Sequence, residues 1–362
     1  MSFRRVLPAG VALALLLGAC SAESAPEPSE TAGAEPEASE EPAPEPDPEP
    51  EPSALAPLTG LPSETDLVDR PALVVKIENS PAARPQSGLD AADLVYEELV
   101  EGGVTRFITV FHSAIPDTAG PVRSARPIDI QVASGLADRA GFAYSGARKQ
   151  VQALLAGSPL VSVTEGEGGF YRETSRQAPH NLYVRTPETL DTVAARGATP
   201  PAEAAAFAFD DRPPACPDAT PDCLAAGADI EVAMSNSYRT GFTYDADAGV
   251  YRRSQNGEPF TVTGDGRIGA ANVVVIGARH YQDGCCDSAG SPYDETDVVG
   301  EGRAIVLRDG AWYEATWAKA DATGPLRLLD GAGEPLALKP GPTWLLLPDA
   351  SRLPAFPAPA AN

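Results

Sequence analysis

Residues 21–53 are the segment that most limits how this chain can fold. They contain eleven Asp or Glu side chains and nine prolines, but no Lys or Arg. Because such residues leave almost nothing apolar to bury and their charges repel one another, we predict a disordered, extended tether over residues 21–54. The chain after residue 53 carries about −15 of the total net charge of −24. This acidity argues against nucleic acid as a partner held through bulk charge.

The first 20 residues have the pattern of a secretion signal. Arg4 and Arg5 precede an apolar run over residues 6–17, which is too short for a membrane span. The run ends in Leu17-Gly18-Ala19-Cys20, which resembles the bacterial lipobox, whose cysteine is lipidated and becomes the mature N-terminus. Residues 1–20 are therefore predicted to be a lipoprotein signal peptide, and Cys20 to hold the chain on the lipid bilayer at the extracytoplasmic face of the bacterial cell membrane. An ordinary cleaved signal with a chance cysteine is the alternative.

The remaining cysteines agree with export, because an oxidising compartment favours disulfides. They are Cys216, Cys223, Cys285 and Cys286. In one alternative Cys216 and Cys223 form a local bridge, and the adjacent Cys285 and Cys286 form a strained ring. In the other, each cysteine of the first pair bonds to one of the second pair. A zinc site of four thiolates is a further alternative, but two adjacent cysteines do not readily surround a tetrahedral ion. We predict disulfides, and neither a metal site nor a cofactor.

Two lobes are predicted after the tether. Residues 55–209 mix helical and strand patterns, whereas residues 226–350 contain short apolar runs typical of antiparallel strands. Pro- and Ala-rich residues form a predicted linker at 210–225 and a predicted tail at 351–362. The predicted fold class is α+β, with an N-terminal mixed α/β lobe and a mainly antiparallel β C-terminal lobe.

Periodicity and capping signals predict the individual elements. Asp90 is a typical N-cap for a helix over residues 91–100, and alternating apolar residues predict a strand over residues 106–112. Further helices are predicted over residues 127–140, 149–155 and 186–197. Strands of the second lobe are predicted over residues 230–234, 241–244, 250–253, 272–276, 304–308, 312–317 and 344–347. Two hairpin turns are predicted, at Asp309-Gly310 and Asp330-Gly331.

Polar residues concentrate in a few stretches of the first lobe. Glu98 falls on the apolar face of the predicted helix, where a carboxylate needs a cation or hydrogen-bond donors. Two roles remain open for Glu98: it forms a structural ion pair with a nearby arginine, or its carboxylate faces a ligand. Arg123 and Arg126 precede a predicted helix and would form a fork for phosphate or carboxylate groups, or would pair with Glu98 and Glu101. The candidate ligand-binding residues are Asn79, Arg84, Glu98, Arg106, Arg123, Arg126, His180 and Asn181.

His180 is the best titratable candidate, because it stands between a proline and a polar asparagine and its imidazole can transfer protons near neutral pH. A structural hydrogen-bonding role is the alternative for this residue. His112, at the end of an apolar strand, and His280, in the second lobe, are weaker candidates.

Short motifs rich in Gly, Pro and polar residues occur in both predicted lobes. The motifs in the first lobe are Pro57-Leu58-Thr59-Gly60-Leu61, Arg84-Pro85-Gln86-Ser87-Gly88-Leu89, Glu101-Gly102-Gly103-Val104-Thr105-Arg106, Gly120-Pro121-Val122-Arg123-Ser124-Ala125-Arg126-Pro127 and Ala178-Pro179-His180-Asn181-Leu182-Tyr183. Those in the second lobe are Asn272-Val273-Val274-Val275 and Gly341-Pro342-Thr343-Trp344. Together these motifs resemble the YerB-like family of bacterial lipoproteins, a family of unknown function, over about residues 57–348. The resemblance implies a two-lobed α+β fold and an envelope lipoprotein, and it implies no reaction.

The motifs that would mark a common enzyme class are absent: the sequence has no P-loop, no convincing Rossmann fingerprint, no His-Glu-x-x-His and no Gly-x-Ser-x-Gly. We expect a non-enzymatic lipoprotein that binds a cell-wall glycan, a peptide or an envelope protein through an arginine-rich cleft in the N-terminal lobe. The alternative is a hydrolase or transferase of wall glycan or peptide with His180 or Glu98 as acid/base. Glu98, Glu101 and Glu173 would be the candidates for a glycosidase. A third hypothesis is a scaffold whose motif residues only hold the lobes together.

Overall fold

The computed structural model describes residues 54–63, 67, 69–203, 207–215, 223–225 (backbone only), 229–264, 266–284, 286–287 and 290–355. The predicted signal peptide with Cys20, the tether up to residue 53 and the tail from residue 356 lie outside these residues. So do Cys216, Cys285 and the side chain of Cys223. Cys286 is disulfide-bonded, and the pairing of the four cysteines stays a prediction.

The described residues form three α-helices and 21 β-strands. The helices are α1 (Pro127–Ser134), α2 (Lys149–Ala156) and α3 (Thr186–Ala195). The strands of the first half are β1 (Leu73–Glu78), β2 (Leu94–Leu99), β3 (Thr105–Phe111), β4 (Thr118–Ala119), β5 (Gly141–Ala143), β6 (Val161–Val163), β7 (Phe170–Arg172) and β8 (Leu182–Arg185). Those of the second half are β9 (Cys223–Ala225), β10 (Ile230–Ala233), β11 (Arg239–Asp245), β12 (Val250–Gln255), β13 (Glu258–Pro259), β14 (Gly269–Ala270), β15 (Asn272–Ile276), β16 (Arg279–Gln282), β17 (Asp294–Asp297), β18 (Gly300–Arg308), β19 (Ala311–Lys319), β20 (Arg327–Leu329) and β21 (Thr343–Leu347).

One mixed sheet of eleven strands is the centre of the fold. Its order is β20-β19-β18-β15-β21-β2-β3-β1-β5-β6, and β9 pairs with β19. Pairing directions show that β15, β21, β2, β1, β5 and β6 all run the same way. Their carboxyl ends therefore lie along one edge of the sheet, which we call the carboxyl edge.

The two predicted lobes meet within this sheet. Strand β21, near the end of the described chain, pairs in parallel with β2, from Leu94 opposite Thr343 to Glu98 opposite Leu347. The predicted fold class, α+β with a mixed N-terminal and a mainly antiparallel C-terminal lobe, is confirmed. Because the lobes contribute neighbouring strands to one sheet, the hydrophobic core is continuous across them.

Both faces of the large sheet are covered. On one face, Val74, Tyr96 and Ile108 belong to the same buried cluster as Ile128 and Val132 of α1. The opposite face is covered by a smaller antiparallel sheet of β10–β14, whose apolar residues cluster with those of β1–β3. The remaining strands form the sheet β4-β8-β7 and the hairpin β16-β17. Residues at odd and even positions of the central strands β1–β3 are therefore almost all buried, which accounts for their largely apolar sequence.

The helix predicted over residues 91–100 is wrong, because residues Leu94–Leu99 form the central strand β2. Its neighbours β3 and β21 cover both of its edges. Alternate residues of β2 thus face opposite covered sides of the sheet. A strand that is buried on both faces has no alternation of apolar and polar residues. The apolar residues of this one lie at spacings that are also typical of a helix.

The other predicted helices are confirmed in place, although α1 ends at Ser134 instead of extending to residue 140. Gly135 follows α1, and a Cβ at that position would lie 2.8 Å from the carbonyl oxygen of Gly324, so the chain passes too close to its neighbour for a larger residue. The strand predicted over residues 106–112 and the seven strands of the second lobe are confirmed, with shifted ends.

Both predicted hairpin turns are found in place, and the one at Asp309-Gly310 has two residues. Both residues have positive φ, 51° and 74°, between β18 and β19, as a two-residue turn of this type requires. At Asp330-Gly331 the turn is wider, because the amide of Asp330 donates to the carbonyl oxygen of Glu334.

Candidate ligand-binding site at the carboxyl edge

The loops at the carboxyl edge carry most of the predicted site residues. Asn79 and Arg84 follow β1, Arg123 and Arg126 precede α1, and His180 precedes β8. Ligands of open α/β sheets bind outside the carboxyl ends of the parallel strands, since the loops converge there. Three cis peptide bonds occur in the described residues, Arg84-Pro85, Gly120-Pro121 and Ala178-Pro179, and each lies in one of the sequence motifs given above.

Glu78, the last residue of β1, is the centre of one cluster of polar side chains at this edge. Its Oε1 and Oε2 lie 2.9 and 3.0 Å from Nδ1 of His180, and Ser80 Oγ donates to Oε1 at 2.6 Å. Nε of Arg123 lies 3.4 Å from Oε2. The Glu78 side chain is only 4% exposed, whereas those of Arg123 and His180 are 24% and 27% exposed. A buried carboxylate thus holds two side chains that reach solvent.

A second cluster lies beside it and is more deeply buried. Arg126 donates through Nη2 to Glu101 Oε2 and through Nη1 to the carbonyl oxygen of Ala125. Burial raises the pKa of Glu101, but the hydrogen bond and charge of Arg126 outweigh burial and lower it overall. Burial, together with the charge of Arg126, lowers the pKa of Arg106 to about 10. Arg126 therefore pairs with Glu101, one of the alternatives predicted for it.

Glu98 lies inside the protein, and its predicted pairing with an arginine is wrong. Its carboxylate contacts Nζ of Lys76, and not Arg106, Arg123 or Arg126. Lys76 Nζ also lies 2.5 Å from Asp129 Oδ1, and all three side chains are at most 1% exposed. Burial raises the pKa of Glu98, and the charge of Asp129 adds to this, while Lys76 opposes it. A ligand outside the protein does not reach this carboxylate.

Asp129 also changes the role expected for the start of α1. Its Oδ2 accepts a hydrogen bond of 2.6 Å from the backbone amide of Arg126. The carboxylate thereby occupies a helix N-terminus that the sequence suggested for an anionic ligand.

Asn79 and Arg84 lie on the opposite face of the sheet from Glu98. Asn79 is fully buried and donates to Thr105 Oγ1 at 2.7 Å and to Gln255 Oε1 at 3.0 Å. Arg84 donates to the carbonyl oxygen of Asn79 at 3.0 Å and to the hydroxyl of Tyr238, in the C-terminal lobe, at 3.3 Å. These two residues therefore connect the lobes, and the eight predicted residues do not line a single cleft because neighbouring strand positions face opposite sides of the sheet.

A buried ion pair crosses the lobes beside Asn79. Arg253 Nη2 lies 2.8 Å from Glu97 Oε2, and both side chains are completely buried. The Arg253 guanidinium lies 4.1 to 5.3 Å from the ring centres of Phe107, Phe260 and Trp344. These rings replace water around the cation.

Asn181 supports the loop that carries His180. Its Oδ1 accepts from Arg172 Nη1 at 2.8 Å, and its Nδ2 donates to the carbonyl oxygens of Glu173 and Arg176 at 3.3 Å. Since these contacts use both ends of the amide, Asn181 positions the loop.

The C-terminal lobe adds charged residues to the same edge. Arg148, after β5, donates to Glu295 Oε1 at 2.5 Å and to Asp283 Oδ2 at 2.7 Å. Burial raises the pKa of Glu295 to about 7, although Arg148 and Arg126 oppose the shift. Glu295 lies on β17, so the charged edge includes both lobes.

The residues that organise these clusters are absent from the set predicted from the sequence; they are Lys76, Glu78, Asp129 and Arg253. A signal for the first two was present, because Leu73-Val74-Val75-Lys76-Ile77-Glu78 places two charges at alternate positions of an apolar strand. Charges on one face of a buried strand require partners from elsewhere in the fold.

Within the part of the chain that the structure describes, no group of three or more His, Cys, Asp and Glu side chains is placed to hold a metal ion. No helix among these residues combines the length and the apolarity that a membrane span requires.

The fold and the charged edge define a two-domain α+β protein whose domains share one sheet. Two family models match it: the Protein of unknown function (DUF3048) N-terminal domain over residues 58–199 and the corresponding C-terminal domain over residues 230–345. A curated relative from Bacillus subtilis strain 168, named "Putative lipoprotein YerB", is 30% identical over 304 residues, which are 81% of this chain and 86% of the relative. A crystal structure of the YerB protein from Bacillus subtilis superimposes with a TM-score of 0.70 at 27% identity and covers 83% of this chain and 98% of that one. The chain belongs to this DUF3048 family of YerB-like proteins, as its motifs predicted.

Proposed function

We propose that this protein is an envelope lipoprotein that is anchored to the cell membrane through Cys20 and binds a cell-wall glycan, a wall peptide or an envelope protein at the carboxyl edge. The name of the Bacillus subtilis relative supports the anchoring. The Leu17-Gly18-Ala19-Cys20 sequence and the acidic, proline-rich residues 21–53 support it as well. A lipid anchor followed by an extended tether would hold the folded part away from the membrane, at the extracytoplasmic face.

The observation that carries the binding proposal is the arrangement around Glu78. Arg123 and His180 contact this buried carboxylate from two sides, and both remain about one quarter exposed. In this they differ from the enclosed pairs Lys76–Glu98 and Arg253–Glu97, whose charges a ligand cannot reach. Binding groups, in contrast, must be both fixed and accessible.

Pull-down of purified bacterial wall material by the full-length protein in detergent micelles tests the proposal. Arg123→Ala is the informative variant, because its partner Glu78 keeps His180 and Ser80. Arg126→Ala is less suitable, since it would leave Glu101 buried without its cation. We expect Arg123→Ala to weaken retention of wall material by about tenfold, the value of one charge-assisted hydrogen bond.

Arg239→Ala is the matched control, because Arg239 forms an exposed ion pair with Glu231 in the C-terminal lobe. Retention equal to that of the unmodified protein is expected for this control. Equal retention by Arg123→Ala, with an unchanged melting temperature, would refute the proposed site.

A second function is favoured by one specific contact. Nδ1 of His180 lies 2.9 and 3.0 Å from the two oxygens of Glu78. An ionised Glu78 would accept a hydrogen bond from Nδ1 and hold the ring with Nε2 directed away from the carboxylate, as in the acid/base histidines of hydrolases. A wall hydrolase or transferase would use His180 in this way. Burial of Glu98 leaves the other acid/base candidate without access to substrate. Release of soluble products from wall material by the protein, and its loss in His180→Ala, would establish this function in place of binding alone.

A further inference from the structure

We infer that the site around Glu78, Arg123 and His180 recognises a hydroxyl group that lies next to an anionic group, as in a carboxylated sugar or a polyol phosphate. This inference rests on the proposed function, because it names the ligand chemistry of the same site. The imidazole of His180 indicates the hydroxyl group, and the guanidinium of Arg123 indicates the anionic group.

The hydroxyl half follows from the tautomer of His180. Both oxygens of Glu78 lie within 3.0 Å of Nδ1, and an ionised carboxylate can only accept hydrogen bonds. The proton of the neutral imidazole must then be on Nδ1, which leaves a lone pair on Nε2. Among the described residues, Nε2 has no hydrogen-bond partner. A ligand group that contacts this Nε2 lone pair should therefore be a donor, and a hydroxyl group can donate to Nε2 and also accept from the nearby arginine.

The anionic half follows from the unused donors of Arg123. A guanidinium has five N–H donors. Arg123 directs Nε toward Glu78 at 3.4 Å and Nη1 toward the carbonyl oxygen of Pro179 at 3.4 Å, both long contacts. The Nε atom is buried and has no hydrogen bond, so it is closed to a ligand. Among the described residues none accepts from Nη2, which is the donor left for a ligand. Carboxylate and phosphate groups match the planar donor pattern of a guanidinium, so an anionic group would complete the interactions of this side chain.

The local charge agrees with an anionic ligand, although the chain as a whole is strongly acidic. Arg106, Arg123 and Arg126 stand beside two carboxylates, Glu78 and Glu101. Taken alone, these five side chains carry a net charge of about +1; the cluster of Arg148, Asp283 and Glu295 at the same edge is not included in this count. Since Arg123 and His180 contact the same carboxylate, one substituted sugar or polyol unit can reach both, with its hydroxyl on Nε2 and its anionic group on the guanidinium.

Isothermal titration of the full-length protein in detergent micelles with four probes tests the inference. N-acetylmuramic acid has a carboxylate and hydroxyls, and glycerol 3-phosphate has a phosphate and hydroxyls. N-acetylglucosamine lacks the anionic group, and inorganic phosphate lacks a carbon-bound hydroxyl. We expect at least one of the first two to bind about tenfold more tightly than both of the others. Preference for the first would indicate a carboxylated sugar, and preference for the second a polyol phosphate.

Variants assign the two halves of the ligand. Arg123→Ala should abolish the preference for anionic probes, while Arg239→Ala should keep it. Nitrogen-15 spectra of the histidine rings at pH 8 should show Nε2 of His180 unprotonated, and its resonance should shift when the preferred probe is added. A protonated Nε2 in the neutral ring, or equal affinity for charged and uncharged probes, would overturn the inference.

The outcome also separates this inference from the proposed function. If wall material is retained in an Arg123-dependent way but the probes are not distinguished, the site stands and the ligand chemistry is refuted. Retention that does not depend on Arg123 refutes the proposed function itself.

Discussion

Replacing Lys76 by methionine should destabilise the protein strongly, because it removes the cation between two buried carboxylates. Lys76 is fully buried, contacts Glu98 and lies 2.5 Å from Asp129. Removing one partner of a buried ion pair costs about 3–5 kcal/mol. Burial already raises the pKa of Glu98, so this group takes up a proton readily when the lysine is absent. Asp129 keeps its hydrogen bond from the Arg126 amide. We therefore expect a loss of about 3 kcal/mol in the free energy of unfolding at pH 8.

Urea denaturation of the full-length protein, followed by tryptophan fluorescence and circular dichroism, measures this loss. Lys149→Met is the matched control, since Lys149 is exposed at the start of α2, and a change within about 0.5 kcal/mol is expected there. The Lys76→Met loss should shrink at pH 5, where protonation neutralises Glu98. Adding Glu98→Gln to Lys76→Met should also recover part of the stability. A Lys76→Met loss no larger than that of Lys149→Met would refute the reasoning.

Two further changes test the edge and the junction of the lobes. Burial raises the pKa of Glu295 above its ordinary value of 4.5 to about 7, so the folded state holds this proton more tightly than the unfolded chain. This contribution to stability is complete below pH 4.5 and is lost as the pH rises through 7. Thermal melts from pH 5 to pH 8 should therefore show a decline of about 1–2 kcal/mol in the free energy of unfolding, and Glu295→Gln should reduce that decline. Arg253→Met should cost about 3–5 kcal/mol, because Glu97 would remain buried without its cation, and urea unfolding should stay a single transition since the lobes share one sheet. The first expectation is contradicted if the stability of Glu295→Gln depends on pH as that of the unmodified protein does. The second is contradicted if Arg253→Met loses no more free energy of unfolding than Arg239→Met.

The strands and helices were predictable where local patterns and the final fold agree. The Asp309-Gly310 turn between β18 and β19 and the Thr186-Pro187 start of α3 are signalled by the residues themselves. Strand β2 was not predictable in this way, because both of its faces and both of its edges are covered by other parts of the chain. Its identity as a strand depends on β3 and β21, and β21 follows it by more than 240 residues.

The candidate site was predictable only as a set of motifs. The sequence marked the loops with Arg123, Arg126 and His180, and these do lie at one edge. It did not show that Glu78 joins Arg123 to His180, since their contacts connect residues 45 to 102 positions apart.

The sequence alone determined the class of this protein, through its mixture of helical and strand patterns and the motifs of the DUF3048 family, and it predicts the secretion signal before Cys20 and the acidic tether after it. These properties are local, because they depend on charge, hydrophobicity and short motifs. Only the tertiary structure decided which charges are enclosed and which remain available to a ligand. Glu98 and Arg253 form ion pairs with buried partners, whereas Arg123 and His180 reach solvent. The physical reason is that burial and pairing arise from strands that meet across the whole chain, so no local pattern encodes them.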